Sequence, residues 1–475
     1  MSEGAYLMSI INQMYGKIIK KSLENALKNQ IELCSINNYL DFINYLDGFL
    51  LEIVKRSIID SFESIDIAYK NSDRRKELYY TKGLYPRTIM TMFGEVTFHR
   101  EYYVPKDRNT DGFFHVDNLF SLPKRDYYDP MIKAYIIELS GKYSYIQSGE
   151  IIGDKIGSRF KTLAESKLAN ISRQTVYNVI KHADMEYILD ETKTDVDTLY
   201  VQLDEKWVYT QKNNHQMKEI KAAVIYTDIK EEYQNRNKLV NRHVITSDKS
   251  ATDIREKLLD YIIQTYNVDS LKNIVISGDG ASWIKGSAIS LIIQKSIKTQ
   301  FVLDRFHMHQ AINHISKDQE IKKYLRNYLK FHFTKNFKDL CDYLIIENPH
   351  REDIIARNRD YIISNWKFIK HQNDSLFKGC SMEGHISHIL AALFTSRPKA
   401  HSLAMISRRL RIRELRVNNH DLKEIYLSNH VTTTPLIDYV DMNQRYPKTI
   451  QDNIGYKVTE KYKWYKNITN TTIFS

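Results

Sequence analysis

The stretch from Thr198 to His309 constrains this chain most. Three runs rich in β-branched and aromatic residues, TLYVQLDEKWVY, EIKAAVIYTD and NRHVITS, follow one another across polar turns, the pattern of an antiparallel meander. A helix is expected over about Asp253 to Thr265, then a fourth apolar run ending in IVISGDG, a further helix, and a fifth run, TQFVLDRFHMH. Meandering strands followed by alternating helix and strand lead to an α/β sheet covered by helices on its faces.

This is the element order of a ribonuclease H-like (RNase H-like) core, and it gives Asp279 a meaning to be decided. In IVISGDGASWI the apolar run breaks at Gly278 and sets an aspartate at the strand end. Asp279 can cap the helix that starts near Ala281, since Gly and Asp suit a turn out of a sheet. A nucleotide loop fits poorly. A dinucleotide fingerprint needs glycine where Trp283 stands, and a Walker loop needs Gly-Lys-Ser/Thr where the chain has Lys285-Gly286-Ser287. The third reading is a metal-binding carboxylate, which needs partners. Asp204 lies at the end of the first strand, and functional groups in α/β sheets collect beyond strand ends. Glu383 opens a helix in GCSMEGHISHILAALF, with Ser381 as its expected N-cap, and can complete the group.

Three such acids suit phosphodiester chemistry. Two metal ions can serve the attacking and leaving oxygens of an in-line displacement, and hard Mg²⁺ (or Mn²⁺) prefers carboxylate oxygen. Without metal, crowded carboxylates raise at least one pKa.

The flanking segments divide the chain further. Residues 1–83 form an N-terminal helical region with a stripe at Phe42, Ile43, Leu46, Phe49, Leu50, Ile53 and Val54. Residues 84–128 are a small β module with a hairpin about Phe93-Gly94, and 129–190 a helical, helix-turn-helix-like region. There Ser172 can cap a helix with Val176, Val179 and Ile180 inward and Arg173, Gln174, Tyr177 and Lys181 outward, which suits either a DNA-reading helix or plain packing. The α/β RNase H-like catalytic core is assigned to 195–309 and 374–400, interrupted by a helical insertion over 310–373, whose stripes are Ile321, Tyr324, Leu325, Tyr328, Leu329 and Phe337, Leu340, Cys341, Leu344, Ile345. Residues 401–475 form a basic C-terminal region containing SRRLRIRELR. Arg397, Lys399, Arg408 and Arg409, with Arg411, Arg413 and Arg416, are candidates for phosphate contact or for a solvated face, and Lys206 and Lys285 flank two of the acids.

Composition narrows the class. Only 16 glycines and 8 prolines in 475 residues leave little room for long flexible linkers. A formal net charge of +11 suits a nucleic-acid partner, although the Lys, Asn, Ile and Tyr bias of an AT-rich genome produces part of it. Cys34, Cys341 and Cys380 are scattered, with no CxxC, so disulfides and zinc ribbons are not expected. His307, His309, His314, Cys380, His385 and His388 match no compact zinc finger. With no leader signature and no run of 18 apolar residues, a soluble cytoplasmic protein without membrane contact is expected.

LDEKWVY, SGDGASWIK, LDRFHMHQAI and CSMEGHISHILAALFTSRPKAHS together resemble blocks of the ISLre-type bacterial insertion-sequence transposases, members of the DDE superfamily with distant Mutator-like relatives. The resemblance covers most of the chain. It implies that Asp204, Asp279 and Glu383 are the catalytic, metal-holding acids, and that Asp304 and His307 match the auxiliary D-x-x-H motif. It further implies an enzyme that binds terminal inverted repeats, exposes 3′-OH ends and joins them to target DNA as a homo-oligomer. His385, within a turn of Glu383, would position it or contact phosphate. Glu205 points by strand alternation to the other face. A hydrolytic nuclease of the same fold and a non-catalytic DNA-binding descendant are the alternatives.

Overall fold

The computed structural model describes residues 38–107, 111–157, 170–188, 193–211, 216–233, 236–290, 296–395 and 401–430. Arg397 and Lys399 fall outside these, as do the ends of the chain. The chain forms two compact units. Unit 1 comprises residues 1–139, 145–184 and 423–475, and unit 2 comprises 140–144 and 185–422.

In unit 1 a long helix, α1 (Tyr39–Asn71), lies against a hairpin of β1 (Tyr79–Thr91) and β2 (Gly94–Pro105). The turn is Met92-Phe93, and Gly94 takes φ +103°, a conformation that favours glycine. β1 begins at Tyr79, inside the segment expected to be helical, because Tyr79, Tyr80 and Thr81 continue the extended pairing with Tyr103 to Pro105. Ile58, Ile59, Phe62 and Ile65 of α1 pack on Ile89, Val96, Phe98, Val116 and Leu122. Only the later turns of α1 supply this core; Leu50, in the stripe read from sequence, is 49% exposed. β3 (Phe113–Phe114) adds a short third strand. Then come α2 (Pro130–Ser140), α3 (Tyr145–Gly157) and α4 (Arg173–His182). Ser172 Oγ accepts the Thr175 N–H at 3.1 Å and caps α4, which buries Val176 and Ile180. A side chain at Gly149 of α3 would stand 2.2 Å from the Ile171 carbonyl, so this glycine lets the two helical segments meet.

Unit 2 is built on a five-stranded sheet in the order β10-β9-β4-β5-β8. β4 (Thr198–Tyr209), β5 (Met217–Tyr226) and β8 (His243–Ser247) pair antiparallel, while β9 (Asn273–Gly278) and β10 (Lys298–Leu303) join parallel on the β4 side. A hairpin of β6 (Asp228–Tyr233) and β7 (Arg236–Val240) stands between β5 and β8 in sequence. It is mostly exposed and polar, with Ile229 and Leu239 packed on the sheet, so no apolar alternation announces it.

Strand alternation sorts the sheet into two cores. Leu199, Val201 and Leu203 pack with Ile254, Leu258 and Ile262 of α5 (Ala251–Thr265) and with Ile284 of α6 (Ser282–Ser290). Tyr200, Ala222, Val224, Val275 and Val302 pack on the other face against Met382, Ile386, Ile389 and Leu390. After β10 the chain is helical through α7 (Arg305–Ile315), α8 (Gln319–Lys330), α9 (Thr334–Glu347), α10 (Glu352–Ser364) and α11 (Trp366–Lys370). These enclose a core that includes Ile312, Leu325, Phe337, Cys341, Ile355 and Ile362. α12 (Met382–Ile386) runs through a π-helical turn over Ser387–Ala391, and α13 (Leu403–Val417) follows. The final described helix is α14 (Leu422–His430). Among the described residues no helix is long and apolar enough to cross a membrane.

Candidate functional site

Asp204 and Gln202 share the face of β4 that carries α12, and this alternation brings Asp204 to Glu383 although they lie far apart in sequence. Asp204, Glu383 and His307 each offer a ligand atom, and these atoms lie within 4.8 Å of one another. Asp204 is 7% exposed. Burial first, then the charges of Asp279 and Glu383, push its pKa up to about 6, against the Glu205 N–H and the His307 ring. No metal is needed to see the frustration that an ion would relieve.

Asp279 stands beside this trio without belonging to it. Its Oδ1 accepts the Ala281 N–H at 2.8 Å, and its carbonyl accepts the Tyr361 hydroxyl at 2.6 Å. The two glycines make the turn possible. A side chain at Gly278 would meet the Leu203 carbonyl at 2.6 Å, and one at Gly280, whose φ is +85°, would meet Asn365 Oδ1 at 2.7 Å. The turn is therefore wedged between β4 and the helices after β10. Asp279 closes the turn that leads into α6 and is a neighbour of Asp204 at once.

Asp304 caps α7 through the Phe306 N–H at 3.1 Å and stands 4.0 Å from His307 Nε2. Burial raises its pKa. Its charge lies beside the histidine that reaches Asp204. A cavity of about 240 Å³ adjoins, lined by Asp279, His307, Gln310, His314, Arg357 and Tyr361. Sequence reading missed Gln310, Arg357 and Tyr361, which reach it from two helices whose periodicity announces only packing.

Gln202 was also missed. It is 1% exposed, accepts the Ser381 N–H and Oγ–H through Oε1 at 3.1 and 3.2 Å, and donates to the Tyr226 hydroxyl at 3.0 Å. Ser381 therefore does not cap α12 with its side chain, as expected from sequence; the hydroxyl is committed to Gln202. Gln202 thus ties the strand of Asp204 to the start of the helix of Glu383.

Other candidates sort by burial. His385 is driven to about pH 4 by burial and by Arg242, so it is neutral and offers no cationic phosphate contact. Cys380 is pushed up to about 12, mainly by burial, and remains a thiol. Among the described residues no His/Cys group other than the trio forms a metal cluster. Glu205 faces away from Asp204. Trp283 Nε1 donates to it at 2.7 Å, and burial with a Glu219 hydrogen bond pushes it up to about 7. Lys285 leans on Asn365 Oδ1 at 3.4 Å.

The basic run is mostly spent inside unit 2. Arg409 is 3% exposed and donates to the Tyr143 carbonyl at 3.1 Å, which corrects its assignment as a phosphate contact. Arg411 donates to the Met185 carbonyl and Arg413 to those of Gly141 and Ile389. Arg408 is exposed on α13. In unit 1, Arg173, Gln174 and Lys181 are exposed on α4.

Residues 41–430 match one protein family across almost the whole described chain. The chain belongs to the UPF0236 family. That family is described as uncharacterised. A UPF0236 protein of Caldanaerobacter subterraneus subsp. tengcongensis is 26% identical over 418 residues, covering 85% of this chain and 86% of the relative. A second UPF0236 protein of that organism is 25% identical over 409 residues, covering 85% and 81%, and its name joins eleven locus designations. A third is 27% identical over 370 residues, covering 76% and 74%, and its name joins four.

Proposed function

We propose that this UPF0236 protein is a DDE transposase of the ISLre type with an RNase H-like catalytic core. The observation that carries the reading is the meeting of Asp204, Glu383 and His307 within 4.8 Å at the central strand β4, with Asp279 alongside. The strand order supports it, because three antiparallel strands extended by two parallel ones on the first-strand side is the RNase H-like arrangement. The relative whose name joins eleven loci supports mobility, since a sequence carried at many places in one genome is what copying produces.

The donor set fits a divalent cation. Two carboxylate oxygens suit Mg²⁺ or Mn²⁺, and the imidazole nitrogen tilts the choice toward Mn²⁺. Asp204, Glu383 and His307 would hold the ion and Asp279 would adjoin it; when bound, it activates the oxygen nucleophile and stabilises the leaving oxygen. Asp304 lies beside His307, and Gln202 holds the start of α12. Arg357, exposed at the adjoining cavity, offers a cation for a backbone phosphate. In the first reaction a water oxygen attacks phosphorus and the P–O3′ bond breaks, leaving a 3′-OH. In the second that hydroxyl attacks a target phosphodiester and displaces its 3′-oxygen.

The test uses DNA flanking the gene. Pre-cleaved element ends incubated with the protein and Mn²⁺ should be joined to a plasmid target, and Asp204→Asn should abolish joining without loss of fold. Hydrolysis with no joined product would identify a nuclease instead.

A further inference from the structure

Unit 1 holds a charged cavity of its own. It measures about 560 Å³ and is lined by Arg87, Arg100, Tyr102, Phe114, Lys124 and Tyr127 among others. Arg87 on β1 and Arg100 on β2 are 7% and 8% exposed, and both approach the single oxygen Asp117 Oδ2, at 2.8 and 2.9 Å. Two buried guanidiniums share one carboxylate. The other acid on the wall, Asp126, is paired with Lys133. The two nearly buried guanidiniums thus carry more positive charge than the one carboxylate they share, an arrangement that folding alone disfavours.

The two arginines differ in how well they are satisfied. Arg87 donates to Asp117 and to the carbonyls of Pro123 and Asp126, at 2.8, 2.8 and 3.2 Å. Arg100 faces Asp117 without hydrogen-bond geometry at Nη1; Nε finds no acceptor in either arginine, and Asp117 Oδ1 finds no donor. Its guanidinium lies 3.5 Å over the Phe114 ring. Buried donors without acceptors are rare in native proteins and call for an explanation. A bound anion would supply the missing acceptors.

The walls say what the anion is attached to. Tyr102 and Phe114 lie 4.9 Å apart, and Tyr127 adds a third ring to the lining. A side chain at Gly112 would stand 2.7 Å from the Tyr102 ring, so glycine there gives that ring its place. Exposed Lys124 and Arg125 rim the opening. Guanidinium recognises phosphate, and aromatic faces stack on bases without regard to sequence. The volume lies within the range of small-ligand pockets and far exceeds what bare phosphate would fill.

We propose that this cavity binds a single nucleotide through its phosphate, either free or as the 5′-phosphorylated end of a DNA strand, with Arg100 as the anion receptor. The site does not depend on the carboxylates of unit 2, so its failure and theirs are separable.

Isothermal titration of the full chain with deoxyadenosine 5′-monophosphate, deoxyadenosine and inorganic phosphate tests it. The nucleotide should bind about tenfold or more tighter than phosphate, and the nucleoside should give no heat. A short single strand with a 5′-phosphate should displace the nucleotide if a strand end is the ligand, and its 5′-hydroxyl counterpart should not; displacement by neither assigns the free nucleotide. Arg100→Gln should weaken nucleotide binding about tenfold. Should that variant fail to fold by circular dichroism, Arg125→Gln at the rim should still weaken binding about threefold. Absence of nucleotide binding at millimolar concentration overturns the proposal. So does unchanged affinity in folded Arg100→Gln, or in Arg125→Gln where Arg100→Gln does not fold.

Discussion

One oxygen of Asp279 holds the Ala281 N–H in the turn before α6, while its charge reaches Asp204. The two roles come apart in Asp279→Asn, which keeps an acceptor for that turn and loses the charge. Its melting point should stay within the equivalent of about 1 kcal/mol of the parent, while end joining with Mn²⁺ falls about a hundredfold or more. Near-parental joining would reduce Asp279 to a turn residue. Gln202 acts one step further out. Gln202→Leu removes the acceptor for Ser381 and the partner of the buried Tyr226 hydroxyl, at a cost of about 1–3 kcal/mol. As a positioning change it should raise the Mn²⁺ concentration for half-maximal joining, with the maximal rate recovered at saturating metal. A lower rate at every metal concentration would show a structural role only. Asp279 was legible in sequence because an aspartate directly after a β-branched run has a pattern; Asp204 was expected at a strand end, yet β4 continues past it to Tyr209. Gln202 had none: it is a polar residue inside an apolar run, and its partner Ser381 becomes visible only when register and helix packing are known.

Among elements, α13 shows how charge misleads. SRRLRIRELR reads as a phosphate-binding stripe, yet Arg409 and Arg413 satisfy carbonyls of the chain itself, and buried Glu414 accepts the Thr246 N–H at 2.7 Å. Sequence displays the charge and not the carbonyl that uses it. Arg409→Ala should therefore lower stability by about 1–3 kcal/mol and leave the salt dependence of DNA binding unchanged. Arg173→Ala or Lys181→Ala on the exposed side of α4 should do the reverse, reducing the slope of log affinity against log salt by about one per residue, as read by fluorescence anisotropy. The Ser172 cap and the inward Val176 and Ile180 of α4 were legible because capping and helical periodicity are local. The β6–β7 hairpin was not, since little beyond Ile229 and Leu239 packs on the core and its strands carry no alternation.

Across the whole molecule, buried carboxyls set the two units apart in acid. Among the described residues of unit 1, Asp60 and Asp129 are pushed up to about 6 and Asp66 to about 7, in each case mainly by burial. Such groups keep their protons in the folded state while the unfolded chain releases them near pH 4, so the folded state binds more protons between about pH 4 and 7. Unit 1 should accordingly lose stability as pH rises through that window. In unit 2, Asp204 at about 6 and Glu205 at about 7 act in the same sense, but His243 at about 3 and His385 at about 4 oppose them. Those histidines are neutral when folded and protonated when unfolded below about 6.5, a contribution that rises with pH up to that value and offsets the loss from the two carboxyls. The tryptophans make the units separable: Trp207, Trp283 and Trp366 lie in unit 2, and Trp464→Phe would remove the remaining one. In that variant the melting transition followed by tryptophan fluorescence should move little between pH 5 and 8. The remaining loss of far-ultraviolet dichroism should shift to lower temperature by about 4 °C or more. A dichroism transition that instead rises with pH would mean that Asp60, Asp66 and Asp129 are ionised in the folded protein.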